Sequence, residues 1–437
     1  MFKLLQVVEL MKYRVIHVNA SLKGGAATGS QRVHRSLLAK GIESVFVSSV
    51  DGPDETYRRI GGGPLGPAVT ARYLIGKIRC EIVRRWQTPL AERILRDRED
   101  VFSHPTGLWR TWLPADLFAD GLATVVNLHW LGGKLDYRSL LASIPARVPI
   151  VWTLRDMHPF TGGCHIGLNC QGYARGCVDC PIVKHEYRHL PGRNLALKRR
   201  LLAGRKVCAA GISKWITGEG EKSSVFPEES EFRCLPNGID TDLFRPVPKA
   251  AAKECLGLSG QELVVCFGAD RLCRKEKGFG LLLEALTRLA STGVQLRLLT
   301  FGDGEIPELP FGVTALGLVR GEPLQRIIYS AADVFAMPSI WEPFGNTCVE
   351  AMSCGVPVAG FRVGGVIDQV EEEVTGLLVE AGDVQGLGVA IGRLLENEPL
   401  RASMGRASRK RVETQFSMGL LAQRYQSTYE QLLGVQE

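Results

Sequence analysis

The 437-residue chain has no run of 18 uncharged apolar residues, so no transmembrane helix is expected. Met1 to Tyr13 carries a short apolar stretch without a small-residue cleavage site behind it, so no signal peptide is expected and Met11 is a candidate start. No G-x-G-x-x-G follows the first apolar run, where a dinucleotide-binding oxidoreductase would need it. Internal repeats and low-complexity tracts are missing as well. Acids are outnumbered, 46 against 53 Lys and Arg, but a net charge of +7 carries weight only where it is clustered. It is clustered over residues 58–98, where ten Lys/Arg face three acids. Bulk charge is all that favours nucleic acid as a partner.

What is present describes a globular protein of about two domains. Hydrophobic residues make up 45% and charged residues 23%, and the length exceeds one ordinary core. Glycine is frequent, with 49 residues, which suits tight strand-to-helix turns. Short apolar runs alternate with helical patterns, the mark of βαβ units and parallel sheets. Strands are expected near 13–19, 44–49, 124–129, 148–154 and 207–212, then near 262–268, 294–301, 313–318, 333–337 and 356–361. Their lack of alternation predicts sheets covered on both faces. Pro236-Asn237-Gly238-Ile239-Asp240 and the prolines after it mark a boundary. The expected fold class is α/β with two Rossmann-like, doubly wound domains, 1–240 and 241–415, facing a central cleft. A helix over 416–437 follows, with a crossing back to the first domain in view.

The second domain holds the clearest site. Glu342-Pro-Phe-Gly-Asn-Thr-Cys-Val-Glu350 follows a strand and opens a helix. Free backbone N–H groups near Gly345, Asn346 and Thr347, at the positive end of the helix dipole, make a phosphate site. Gly345 lets the backbone approach a diphosphate, and the two carboxylates suit sugar and ribose hydroxyls. A plain helix cap and a solvated acid are the bland alternative. Gly268 ends another strand, and a basic loop (Arg271, Arg274, Lys275, Lys277) leads from it into the next helix. Fixed cations there would neutralise a leaving pyrophosphate without a metal. A solvated basic loop is the alternative.

These residues resemble a known family. The stretch 342–350 is similar to the E-x7-E motif of family-4 retaining glycosyltransferases, which have the two-domain GT-B fold. The resemblance extends to Lys23-Gly24-Gly25-Ala26-Ala27, Ser213-Lys214-Trp215, Asn237-Gly238-Ile239-Asp240, Lys277-Gly278 and Gly364-Gly365. Thr161-Gly162-Gly163-Cys164-His165 is similar to a branch of exopolysaccharide and lipopolysaccharide assembly. The resemblance implies that Glu350 binds the ribose, Glu342 reaches the donor sugar, Lys277 holds the diphosphate and Gly25 sits against it. The family's arginine directly follows the strand-end glycine. Ala269 stands there in this chain, and Arg271 is the nearest candidate.

On the acceptor side, His129 and Arg155-Asp156 end two strands of the first domain. Where Arg155 stands, much of the family has a histidine. Arginine is no base near neutral pH. That fits a reaction in which the leaving phosphate takes the acceptor's proton on the same face. For His129, strand-end packing is the alternative to a functional role.

Cys164, Cys170, Cys177 and Cys180 lie within 17 residues of a glycine-rich loop. Cys-x2-Cys suits tetrahedral zinc, and four thiolates would close it as a structural site. Disulfides, given export, and free thiols are the rivals. The segment 58–98 also carries apolar residues at helical spacing, as a basic amphipathic helix on an anionic membrane or an ordinary domain helix would.

The leading expectation is therefore transfer of a sugar from a nucleoside diphosphate sugar to a saccharide or lipid-linked saccharide, with retention and no catalytic cofactor. It would take place in the cytoplasm or at the inner face of the membrane, in surface polysaccharide synthesis. A nucleotide-sugar epimerase and a non-catalytic sugar-binding protein are the alternatives.

Overall fold

The computed structural model describes residues 13–61, 102–103, 110–132, 135–167 and 170–435. The chain forms two compact units. One comprises Met1–Ala210, Glu219–Arg233 and Ala422–Glu437, and the other Gly211–Gly218 and Cys234–Leu421.

The first unit is built on a seven-stranded sheet. Its strands are β1 (Tyr13–Val18), β2 (Glu43–Ser48), β3 (Tyr57–Arg59), β4 (Ala123–Leu128), β5 (Ile150–Leu154), β6 (Val207–Gly211) and β7 (Glu231–Cys234), in the order β3-β2-β1-β4-β5-β6-β7. The second sheet has β8 (Val264–Arg271), β9 (Arg297–Asp303), β10 (Gly312–Ala315), β11 (Val334–Met337), β12 (Val358–Phe361) and β13 (Gly376–Val379), in the order β10-β9-β8-β11-β12-β13. β1 pairs in parallel with β2 and β4, and β8 with β9 and β11. Every residue of β1 and β5 is buried, as an apolar run without alternation requires. Both sheets are doubly wound α/β layers. All ten expected strands are present. The three beyond them are short. β3 ends in two exposed arginines, β7 is half-buried throughout and β13 opens on glycine, so none announces itself as an apolar run.

The strand order places the candidate sites. Each sheet reverses its winding once, at β1/β4 in the first and at β8/β11 in the second. Ligands of such sheets bind beyond the carboxyl ends of the strands at the reversal. Gly24-Gly25 follows β1 and His129 follows β4. The loop to Lys277 follows β8 and the loop to Glu342 follows β11.

The C-terminal helix Met418–Leu433 ends in the first unit. There Tyr429 Oη accepts from Asn127 Nδ2 (2.7 Å), and Tyr425 Oη meets Thr153 Oγ1 at 3.3 Å, both buried. Of the basic segment 58–98, Arg58 and Arg59 fall in β3, and the proposed helix lies outside the described residues. Among the described residues no helix is long and apolar enough to cross a membrane.

Candidate active site

Three loops of the second unit meet around Glu342. The β8 loop is fixed by Gly278, whose φ of +70° is open to glycine and costly for other residues. A Cβ there would lie 1.8 Å from the Pro338 carbonyl oxygen at the end of β11. This close approach lets the Ile340 N–H donate to the Glu276 carbonyl (3.0 Å) and brings Lys277 Nζ to Glu342 Oε2 at 2.6 Å. The β12 loop closes over the same backbone. The Gly365 N–H donates to the Glu342 carbonyl (2.9 Å), and a Cβ on Gly364 would fall 2.0 Å from that oxygen. The glycines of Lys277-Gly278 and Gly364-Gly365 are thus explained by backbone contact.

The Lys277–Glu342 pair is unequal in exposure: the lysine side chain is 26% exposed and the glutamate 8%. Three residues on, Gly345 (φ +96°) precedes the helix Asn346–Ser353, with no side-chain cap on the helix N–H groups. Asn346 Oδ1 accepts from Asn237 Nδ2 at 3.1 Å, which brings the Asn237-Gly238 motif to this end of the helix. Thr347 is half-buried. Glu350 is buried, and its Oε2 accepts from the Tyr329 hydroxyl at 2.9 Å. It is therefore not a solvated helix acid, and burial together with the Glu350 charge raises the Tyr329 phenol well above its ordinary range.

The basic loop divides its labour. Arg274 is spent on Glu276 and Asp270, whose charges hold it above the ordinary arginine range against burial. Arg271 stands exposed at the end of β8, beyond an irregularity in the β8–β9 register. Gly268 answers first to packing, because a Cβ there would fall 2.0 Å from the Phe301 ring. Lys214 and Trp215 of the Ser213-Lys214-Trp215 motif also gather here, with residues that motif reading did not single out. Trp215 and Trp341 meet edge to face, Lys214 N–H donates to Asp368 (2.6 Å), and the buried Gln369 amide lies beside Gly345 with no hydrogen-bond partner among the described residues. No spacing signal links Tyr329 or Gln369 to the Glu342–Glu350 stretch.

In the first unit, His129 is buried at the end of β4 with both ring nitrogens engaged. Arg155 Nε donates to Nδ1 at 3.2 Å, so Nε2 carries the proton and donates to His17 Nδ1 at 2.9 Å. Burial first, then the Arg155 charge, pushes His129 well below the imidazole range, and burial first, then His34 and Arg155, does the same to His17. The histidine thus holds Arg155 from behind. Burial brings Arg155 down to about 10, which leaves it cationic at neutral pH. Asp156 faces away from this chain: Oδ2 pairs with His165 Nδ1 (2.6 Å) and Oδ1 accepts from the His158 N–H (2.9 Å). Gly25 opens the helix Gly25–Leu38 after Gly24 at φ +93°.

The cysteine loop adjoins Asp156. A hydrogen bond with Cys180 and then burial push the Cys164 thiol well above the ordinary thiol range. Among the described residues no three His, Cys, Asp or Glu side chains already surround a common point as a metal requires. The wholly buried Lys198 crosses beneath the loop and donates to the His158 and Thr161 carbonyls.

Comparison with known proteins agrees with this geometry. Residues 261–397 match the family described as Glycosyl transferases group 1. The chain is 32% identical over 298 residues to a D-inositol 3-phosphate glycosyltransferase of Segniliparus rotundus, covering 65% of this chain and 61% of that protein. It is 35% identical over 205 residues to a GDP-mannose-dependent alpha-(1-6)-phosphatidylinositol monomannoside mannosyltransferase of Mycolicibacterium smegmatis, covering 43% and 53%. The chain thus spans little more than half the length of these relatives. Among solved structures, Anabaena Alr3699/HepE in complex with UDP-glucose superposes with a TM-score of 0.63 at 19% identity, over 96% of this chain and 99% of that one. The chain therefore has the two-domain fold of GT-B glycosyltransferases, and its similarity to the Glycosyl transferases group 1 family lies in residues 261–397.

Proposed function

We propose that the protein is a retaining glycosyltransferase, which moves a sugar from a nucleoside diphosphate sugar to a saccharide or lipid-linked saccharide. The observation that carries this reading is the group around Glu342: a lysine–glutamate pair beside an uncapped helix N-terminus, with a second, buried carboxylate two turns on. The named activities of the two curated relatives, both sugar transfers, support it.

In this reading the diphosphate lies over the N–H groups of Gly345, Asn346 and Thr347 and draws Lys277 away from Glu342. Arg271 supplies the second cation. Two fixed cations and a helix dipole stabilise charge developing on the leaving diphosphate, so no divalent metal is needed for the bond-breaking step. Glu342, released from the lysine, accepts from hydroxyls of the donor sugar, and Glu350 accepts from those of the ribose. No side chain is assigned as general base. Arg155 stays protonated at neutral pH and His129 is neutral with both nitrogens engaged, so the leaving phosphate takes the acceptor's proton on the face it departs from. We place the reaction at the cytoplasmic face of the membrane in surface polysaccharide synthesis, with the basic segment 58–98 as the contact to anionic lipid.

Calorimetry against UDP-, GDP-, ADP- and dTDP-sugars identifies the donor, and proton NMR of the product reads the anomeric configuration. Inversion would refute retention. Conversion of the donor with no acceptor present would make the protein an epimerase.

A further inference from the structure

We infer, on the donor reading proposed above, that Gln369 and Trp341 select the transferred sugar, each binding one of its hydroxyls beside Glu342. Gln369 is wholly buried, and both the oxygen and the nitrogen of its amide are without a hydrogen-bond partner among the described residues. Trp341 is half-buried, yet its indole Nε1 is buried and equally without a partner there. An amide carries two donors and an acceptor, and an indole one donor. Leaving such groups buried and unmatched is costly, so folded proteins keep them where something else depends on them.

Both groups border the segment from Glu342 to Gly345. Trp341 directly precedes Glu342. The Gln369 amide oxygen lies 3.3 Å from where a Cβ on Gly345 would stand, and Gly345 is the residue before the uncapped helix Asn346–Ser353. Any side chain at Gly345 would press on that amide and on the Met337 methyl, 3.0 Å from the same point, so glycine keeps this side of the amide clear. Glycine also changes backbone angles at little cost, which lets the loop part from the amide as a ligand enters. Gly364 and Gly365 hold the loop that carries Gln369 against the Glu342 and Pro343 carbonyls. Gln369 and Glu342 thus reach a ligand from adjoining loops.

A side chain that discriminates between ligands has to be held still, and both of these are. Arg411 Nε donates to the Gln369 carbonyl at 2.7 Å and its Nη2 to the Asp368 carbonyl at 3.0 Å, while the Lys214 N–H donates to Asp368 Oδ2 at 2.6 Å. The short helix Val366–Gln369 is thereby pinned on two sides. Trp341 is braced by Trp215, edge to face at 5.9 Å. The donors and acceptors on offer set the class of ligand. A phosphate only accepts, so it would leave the amide oxygen unmatched. A hydroxyl both donates and accepts and so matches the amide, and a second hydroxyl accepts from the indole N–H. The hexoses of nucleoside diphosphate sugars differ in where such hydroxyls point. A site built to hydrogen-bond a hydroxyl rejects the analogue that lacks it there, because its own buried groups are then unmatched.

The test is calorimetry on the full chain with UDP, GDP, ADP and dTDP, and with the glucose, galactose and mannose derivatives of each. The wild type is expected to bind one sugar derivative at least about tenfold more tightly than its epimers. Gln369→Met keeps the length of the side chain and removes the amide, and should bring the epimers within about threefold of one another. Its affinity for the parent nucleoside diphosphate should stay within about twofold of wild type. The denaturation midpoint of the free Gln369→Met protein should not fall, since an unmatched amide is lost, whereas a supporting role in the fold would lower it. Trp341→Phe removes the N–H and keeps an aromatic ring. It should weaken the preferred sugar derivative at least about threefold with the nucleoside diphosphate unaffected, and it decides alone should Gln369→Met not fold. Equal losses for nucleotide and sugar derivative, or an epimer preference unchanged in both variants, would overturn the inference while the diphosphate site stands. A wild type that binds no nucleoside diphosphate would overturn both.

Discussion

Separating the two partners of the Lys277–Glu342 pair gives an unequal pair of costs. Lys277→Met leaves a carboxylate that is 8% exposed without its cation, and Glu342→Gln leaves an ammonium that is 26% exposed and reaches water. Loss of the partner of a largely buried charge costs about 1–3 kcal/mol after solvent screening, and loss of the partner of a wetter one under about 1 kcal/mol. Hydrogen exchange read on peptides of β8, β11 and the helix Asn346–Ser353 confines the measurement to the second unit. Nucleotide binding separates function from stability. If the diphosphate takes Lys277 from Glu342, Lys277→Met weakens binding of the nucleoside diphosphate about tenfold or more, since tenfold is about 1.4 kcal/mol. Glu342→Gln frees the lysine, so that nucleotide then binds as well as before or better, while turnover of the sugar donor falls. Equal and small effects of both substitutions on nucleotide affinity would reduce the pair to a surface ion bridge and refute the reasoning.

Tyr329→Phe removes a buried donor to Glu350 and should weaken donor binding by about 0.5–1.5 kcal/mol with the circular dichroism spectrum preserved; unchanged affinity by calorimetry would detach Glu350 from the nucleotide. Gly278→Ala must relieve a Cβ 1.8 Å from the Pro338 carbonyl at a φ of +70°, so thermal denaturation should show a loss of at least about 1–3 kcal/mol, and a neutral result would contradict the described loop. Lys198→Met leaves the His158 and Thr161 carbonyls without their donor and should cost about 1–3 kcal/mol, read as a lower denaturation midpoint. His17, His34 and His129 all have folded values below the unfolded 6.5, His34 at about 4. The unfolded chain then binds more protons between pH 6.5 and about 4, so stability is flat above that window and falls as the pH drops through it. A denaturation midpoint that stays constant from pH 7 to 5 would count against three neutral buried imidazoles.

Sequence alone determined the α/β class, because apolar runs without alternation have one common use, as strands buried on both faces. It also determined the Glu342–Glu350 stretch, because a strand end, a loop glycine and a helix start are local signals. The glycines at 278 and 364–365 were legible as motif, but their reason was not. Each is required by a carbonyl from another loop, Pro338 for Gly278, Glu342 for Gly364 and Pro343 for Gly365, and those meetings exist only once β8, β11 and β12 are placed. Tertiary structure alone decided that Glu350 is buried against Tyr329, that Arg274 is consumed by Glu276 and Asp270, and that His129 faces Arg155 and His17 with both nitrogens. The physical reason is the same throughout. Hydrogen bonding and burial join residues by distance in space, and His17 with His129, or Asn127 with Tyr429, are neighbours only because parallel strands and a returning C-terminal helix carry them across long stretches of chain.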